Sequence, residues 1–234
     1  MPPRGSDPDA APGGDVPQAT APAPRIARKE RRQADRRAAI LDAARRVLEA
    51  DGVAALTIAA VAAEADVSKP AVYYYFRSKE EVIGNLAASI LEQEVLALEA
   101  AIDQAPSGVA ALAALVRAKV DRYAADLATF RLAYVYPQWI GLQPALLAER
   151  IYPLSQRIND RLEQRLAADR EAGRLHPSLH PRRLANLAWI TAHGILSLAA
   201  SLESVGGNTR ASLEQLRDEA IALLHRAATS PADQ

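Results

Sequence analysis

The chain contains no cysteine, which excludes disulfides and thiolate metal sites. Aromatic side chains are few, with two tryptophans and two phenylalanines in 234 residues, and β-branched runs are sparse, which disfavours a sheet-rich fold. Its 28 basic and 28 acidic residues cancel, so any basic surface must be local rather than global. No apolar run approaches the length needed to span a bilayer, and the N-terminus lacks the charged and apolar regions of a signal peptide. A cytoplasmic protein with no membrane partner is expected. Metal-ligand clusters, phosphate-binding glycine loops and a nucleophile elbow are missing too. The expectation is therefore a protein that is not an enzyme and has no cofactor and no metal.

What is present favours helix. Half the residues are apolar, enough for a substantial core, and alanine, leucine, arginine and glutamate dominate. Residues 1–24 are rich in Pro, Ala, Gly and Asp and cannot bury enough surface to offset their ordering entropy, so a disordered tail is expected there. Residues 25–37 then hold seven basic side chains against two acidic ones. They read either as a basic arm that reaches phosphates or a minor groove or as a solvated lead-in. A first helix is expected from about Arg36 to Ala50, with Ile40, Leu41, Ala44, Val47 and Leu48 inward and Asp51-Gly52 as its stop.

The stretch from Thr57 to Val82 organises the rest. Thr57 is a plausible N-cap, and Ile58, Val61, Ala62 and Ala65 follow at helical spacing. Asp66-Val67-Ser68 makes a turn in which Asp66 tolerates the left-handed conformation and Ser68 caps the next helix. Pro70 suits that helix's first turn, where no amide bond is lost. Val72 and Phe76 point inward at i and i+4. Tyr73, Tyr74 and Tyr75 lie about 100° apart around the axis, so at least one phenol must face solvent or a ligand. Ser78 and Glu81 then fit a capping box, placing Lys79 at a helix N-terminus suited to phosphate. The arrangement reads as a helix-turn-helix whose second helix lies in the major groove. The bland reading is three small helices packed for stability, with the tyrosines exposed by accident.

This segment resembles the DNA-binding domain of the TetR/AcrR family of one-component transcriptional repressors. The residues that carry the resemblance are Thr57, Ile58, Val61-Ala62, Ala65-Asp66-Val67-Ser68, Val72-Tyr73, Phe76 and Ser78-Lys79-Glu80. Asp66 departs from the pattern, since glycine is usual there. The resemblance covers roughly residues 36 to 85. It implies that Lys69, Pro70, Ala71 and Tyr74 sit closest to base edges, and that Thr57, Ser68, Tyr73, Tyr75 and Lys79 hold phosphates of double-stranded operator DNA.

Beyond it, a fourth helix is expected from Lys79 through Ile102, roughly 37 Å long at 1.5 Å per residue, acting as a stiff lever and ending at Pro106-Ser107-Gly108. Further helices are expected over about Val109–Asp126, Phe130–Tyr136, Ile151–Ala172, Pro181–Glu203 and Ser212–Ala227. The fold class is thus all-α, with a three-helix DNA-binding head over residues 25–84. A helical ligand-binding and dimerisation domain would span 85–228, followed by a flexible tail at 229–234. Phe130, Tyr134, Trp139, Trp189 and His193 could line a mostly apolar site with polar tips, although ordinary core packing would use the same residues. The resemblance implies a small apolar or amphipathic effector there. The last two long helices, with Ala188, Ala192, Gly194, Ala199 and Ala200, are expected to join two copies into a homodimer. The functional expectation is a repressor released from a palindromic operator by an effector. An architectural protein binding DNA without sequence preference is the alternative.

Overall fold

The computed structural model describes residues 24–139 and 147–229, with the side chains of residues 24–27, 138, 139, 147 and 151 outside that description. The tails expected at 1–24 and 229–234 fall almost wholly outside it. Two compact units divide the chain, one ending at Ala38 and the other beginning at Ala39. The first holds the start of helix α1 (Pro24–Ala55). The helix expected to begin near Arg36 therefore begins a dozen residues earlier, and the basic segment, expected as an arm or as a solvated lead-in, is part of it. The reason is local: Pro24 is tolerated in a first turn, and the Arg, Lys, Glu, Gln and Ala residues that follow contain no breaker.

From Ala39 on, the second unit is built from helices alone among the described residues. Gly52 breaks α1 with φ 77° and ψ 177°, a backbone setting that a β-carbon would oppose, so the expected stop is a kink followed by one last turn. Helices α2 (Ile58–Glu64) and α3 (Lys69–Tyr75) complete the head. Helix α4 (Lys79–Gln104) leads out of it, and the boundary expected between residues 84 and 85 falls inside this helix. Helix α5 (Gly108–Ala124) comes next, then α6 (Leu127–Phe130), which widens into a π-helical segment over Arg131–Val135 and ends in the short α7 (Tyr136–Trp139). A second π-helical segment (Leu147–Ile151) feeds α8 (Tyr152–Glu171), and α9 (Pro181–Glu203) and α10 (Leu213–Thr229) close the fold.

One cluster of buried apolar side chains joins the head to α4, with Ile40, Val61, Val72, Phe76, Val82 and Leu86 among its members. The other lies between α4, α5, α8, α9 and α10, around Leu98, Leu112, Leu115, Leu162 and Ala188. Gly108 is fixed by the close approach of α5 to α8, because a β-carbon there would collide with the backbone of Arg165. Asp169 secures the same junction by accepting from the amide of Val109 at 2.7 Å.

Helix α9 departs from the sequence reading. Its 23 residues reach a mean hydropathy of 1.3 over an 18-residue window, within the range of a membrane span by length and composition. Its charged residues sit only at its ends, leaving an apolar run that was not anticipated. It packs on α5 and α8 within the chain. Ala188 and Ala192 are buried there, Ala200 is buried in the cluster that holds Phe130 and Leu132, and Ala199 is buried too, so they do not face a second copy as expected. Small side chains permit close packing, and the chain's own α5 and α8 use it. The outward stripe of α9 is instead Leu187, Ile190 and Leu198, all about half exposed or more, with Gly194 between them facing open space.

Candidate nucleic-acid interface and effector cavity

The head is fixed by caps that the sequence supplies a few residues away. Thr57 Oγ1 accepts from the Ala60 amide at 3.1 Å, and Ser68 Oγ accepts from the Ala71 amide at 3.3 Å. Both hydroxyl protons remain to be donated outward. Asp66 takes up φ 51° in the turn between α2 and α3, the left-handed setting that glycine holds most easily and Asp tolerates. At the start of α4 the Glu81 amide donates to Ser78 Oγ at 3.3 Å, while the Glu81 carboxylate reaches back to the amide of Arg77 at 2.7 Å. Arg46 on α1 binds Glu64 on α2 at 2.5 Å and Asp42 at 2.9 Å, so it braces the head.

Val72 and Phe76 have no exposed surface, and burial of an aromatic side chain of this kind stabilises by about 1.5–3 kcal/mol. That anchoring sends the rest of α3 outward. Lys69 and Pro70 are exposed, as are Tyr73 and Tyr74, at 54% and 69%. Tyr75 packs partly into the core, with its ring edge-on to Tyr74 at 5.0 Å. Ala71 and Lys79 are half-buried, while Thr57 and Ser68 are exposed at the helix starts. The residues expected at bases and phosphates are thus gathered on α3, its flanking turn and the caps beside it.

The second site lies between α4, the π-helical segment after α6, α8 and α9. A cavity of about 300 Å³ opens there, lined mainly by apolar side chains such as Leu91, Val95, Ala133 and Ile158, with Tyr134, Tyr152 and Trp189 adding aromatic surface. Of the five side chains expected at a ligand, Tyr134 and Trp189 line it. Phe130 and His193 pack behind them: His193 stacks on Trp189 at 4.7 Å and meets Tyr134 at 4.8 Å, and Phe130 lies 5.1 Å from Tyr134. The Trp139 side chain lies outside the described residues.

The polar heart of this region was not anticipated. Glu94 on α4 is 2% exposed, Lys119 on α5 has no exposed surface, and the two form an ion pair. Glu94 also accepts from Tyr123 Oη at 2.6 Å and from Tyr134 Oη at 2.8 Å, while Lys119 Nζ donates to Tyr134 Oη at 2.7 Å. The Lys119 ammonium lies 4.3 Å from the centre of the Tyr134 ring and 4.9 Å from that of Trp189, within cation–π range. Burial pulls the Lys119 ammonium below its ordinary pKa, with Glu94 opposing. Burial and then the Glu94 charge push both tyrosines up. Burial also lowers His193 from 6.5 to about 4, aided by the Lys119 charge, so its imidazole is neutral near pH 7. The signal that could have revealed the pair is a charged residue centred on an apolar stripe: Glu94 among Ile90, Val95 and Leu98, and Lys119 among Leu115, Val116 and Tyr123.

Helix α4 borders both sites. Val82, Ile83 and Leu86 pack into the head, while Leu91, Glu94 and Val95 face the cavity. Arginines hold the helix from one side: Arg150 donates to Asn85 at 3.0 Å and to Glu92 at 2.6 Å, Arg157 to Glu99 at 2.7 Å, and Arg161 pairs with Asp103. The constant offset of 58 residues means that the segment beginning at Arg150 runs parallel to α4.

A capped tri-helical head presenting exposed tyrosines on a short second helix, joined by one long helix to a body that is helical among the described residues, is a helix-turn-helix arrangement. Residues 40–86 match the family described as bacterial regulatory proteins, tetR family. The HTH-type nicotine-responsive transcriptional repressor HdnoR of Paenarthrobacter nicotinovorans is 38% identical over 69 residues, which span 30% of this chain and only 36% of that repressor. The fold is similar to a transcriptional regulator of the TetR/AcrR family from Thermobifida fusca YX-ER1, with a TM-score of 0.64, 21% identity, and coverage of 86% of this chain and 100% of that one. It is also similar to the regulator FadR of Bacillus subtilis in complex with stearoyl-CoA, with a TM-score of 0.63, 18% identity, and coverage of 81% and 97%. Residues 40–86 are thus similar to the DNA-binding domain of the tetR family, and the chain spans about a third of the length of the curated repressor it matches.

Proposed function

We propose that the protein is a dimeric, sequence-specific repressor that leaves a palindromic operator when a small effector fills the cavity. The observation that carries the DNA part is the outward set on and beside α3: Lys69, Pro70, Tyr73 and Tyr74 exposed together, with Thr57, Ser68 and Lys79 at neighbouring helix starts. Lys69, Pro70, Ala71 and Tyr74 meet base edges in this reading, and the hydroxyls of Thr57, Ser68, Tyr73 and Tyr75 with the Lys79 ammonium bind phosphates. One short helix makes too few base contacts for strong discrimination, so a two-fold pair is required. Leu187, Ile190 and Leu198 on α9 and Leu223 on α10 are exposed apolar side chains on the last two helices, and they support a dimer through that face.

Ligand response rests on the cavity and on α4, which touches it and the head. An effector that binds better when α4 is tilted shifts the spacing of the two recognition helices from about one DNA turn, roughly 34–36 Å, and the operator is released. Differential affinity for the two states is the only source of that shift. Selection of bound sequences from a random DNA pool tests the proposal. A palindromic winner bound by a dimer supports it; the absence of any enriched sequence rejects it in favour of an architectural role.

A further inference from the structure

The head from Ala39 to Glu81 is short of the charge that DNA binding needs. It carries five basic side chains against seven acidic ones. Two of the five, Arg45 and Arg46, are paired with Asp42 and Glu64, which leaves Lys69, Arg77 and Lys79. A duplex presents about one negative charge per 1.7 Å of its axis, and neutralising those charges supplies the sequence-independent affinity.

The missing charge lies earlier in the chain. Residues 25–37 hold seven basic side chains against two acidic ones in a chain that is neutral as a whole, so everything outside them sums to an excess of five negative charges. In helix α1 this surplus becomes a stripe. Arg28, Lys29, Arg32 and Arg36 stand at i, i+1, i+4 and i+8, inside an arc of about 100° and along roughly 12 Å of axis. All four are exposed, as is Arg31 beside them. Asp35 borders the stripe and lines a surface recess with Arg28, Arg31 and Arg32, while Glu30 falls on the opposite side of the helix. From Ala27 to Ala39 there is no large apolar residue. A helix without an apolar face has nothing to seat in a core, in a membrane or on a hydrophobic partner. Charge is what it has to bind with.

We infer that this face of α1 is a second DNA-contacting surface, which grips backbone phosphates without reading bases and supplies affinity that the α3 set turns into discrimination. The inference rests on the DNA-binding reading above.

The test measures binding of the full chain to its selected sequence and to a scrambled duplex over a series of salt concentrations. The wild type is compared with the fourfold variant Arg28→Gln, Lys29→Gln, Arg32→Gln, Arg36→Gln. Glutamine has nearly the helix propensity of the residues it replaces, and the sites are exposed, so the thermal melt should be unchanged. Each lost phosphate contact reduces the slope of log affinity against log salt by about 0.9, so a reduction of about 3 to 4 is expected for each protomer. Affinity at low salt should fall at least about tenfold, by the same factor on both duplexes. The charge-keeping variant Arg28→Lys, Arg32→Lys, Arg36→Lys should retain the wild-type slope. An unchanged slope in the glutamine variant overturns the inference, as does a loss confined to the selected sequence, which would make the stripe a reader of bases. Lost binding to phosphatidylglycerol vesicles with DNA binding intact would assign the stripe to a membrane and overturns it too. A reduced slope when no sequence is enriched upholds the inference and rejects the sequence-reading repressor. Failure of the wild type to bind either duplex rejects both.

Discussion

Between Thr57 and Glu81 the helix caps are closed by residues three or four positions away. Around the cavity, Glu94, Lys119, Tyr123 and Tyr134 find their partners 15 to 40 positions away, on three different elements. The head therefore takes its shape from local signals that tolerate change elsewhere. The cavity wall depends on several helices arriving together, so one altered charge disturbs all of them. Such a division is what the proposed function asks for, with a locally determined DNA-binding head and a cavity wall built from distant partners.

The most disruptive way to break this contrast is to remove one half of the buried ion pair. Lys119→Met alone leaves Glu94 charged and unpaired, and urea denaturation should show a loss of about 3–5 kcal/mol. Adding Glu94→Gln should recover most of it. Equal stability of the single and double variants would mean that the pair is not coupled.

A pH series sharpens the same region. The folded state lowers His193 from 6.5 to about 4, so the stability held by its neutral form is complete above pH 6.5. It declines as the pH falls towards 4, because the unfolded chain then binds the extra proton. The contribution is on the order of 1–2 kcal/mol once solvent screening of a partly exposed ring is allowed for. In His193→Gln that part of the acid slope should disappear.

In the head, Tyr74→Ala removes a side chain that is 69% exposed. Stability should change by no more than about 0.5 kcal/mol, while affinity for the selected operator, measured at fixed salt, should fall by about tenfold. Ser68→Ala deletes the cap of α3 and should cost about 1 kcal/mol in thermal or urea melts. The smallest effect is expected from Asp66→Gly. Relief of the left-handed setting at φ 51° should stabilise the head by about 0.5 kcal/mol, net of glycine's greater unfolded entropy.

These regions also differ in how far the sequence disclosed them. Thr57, Ser68 and Ser78 each announce a helix start, and Asp66 falls where the turn demands a positive φ, so the head was legible almost residue by residue. Tyr134 and Trp189 could be picked out as candidates because aromatics are few. Glu94 and Lys119 could not, since a charge on a helix reads as solvated until the element that covers it is known. Periodicity showed that Ala188 and Ala192 share a face of α9, but not that α5 and α8 occupy it. The start of α1 was misplaced because nothing between Pro24 and Arg36 opposes a helix and no cap marks a later beginning.

The most direct test of the account is equilibrium binding of the full chain to its selected DNA sequence and to a scrambled duplex at one fixed salt concentration. A sequence-reading regulator should prefer its site by a factor on the order of 1,000 or more. Near-equal affinities that follow only the ionic strength would contradict the account, leaving a head that grips DNA without reading it.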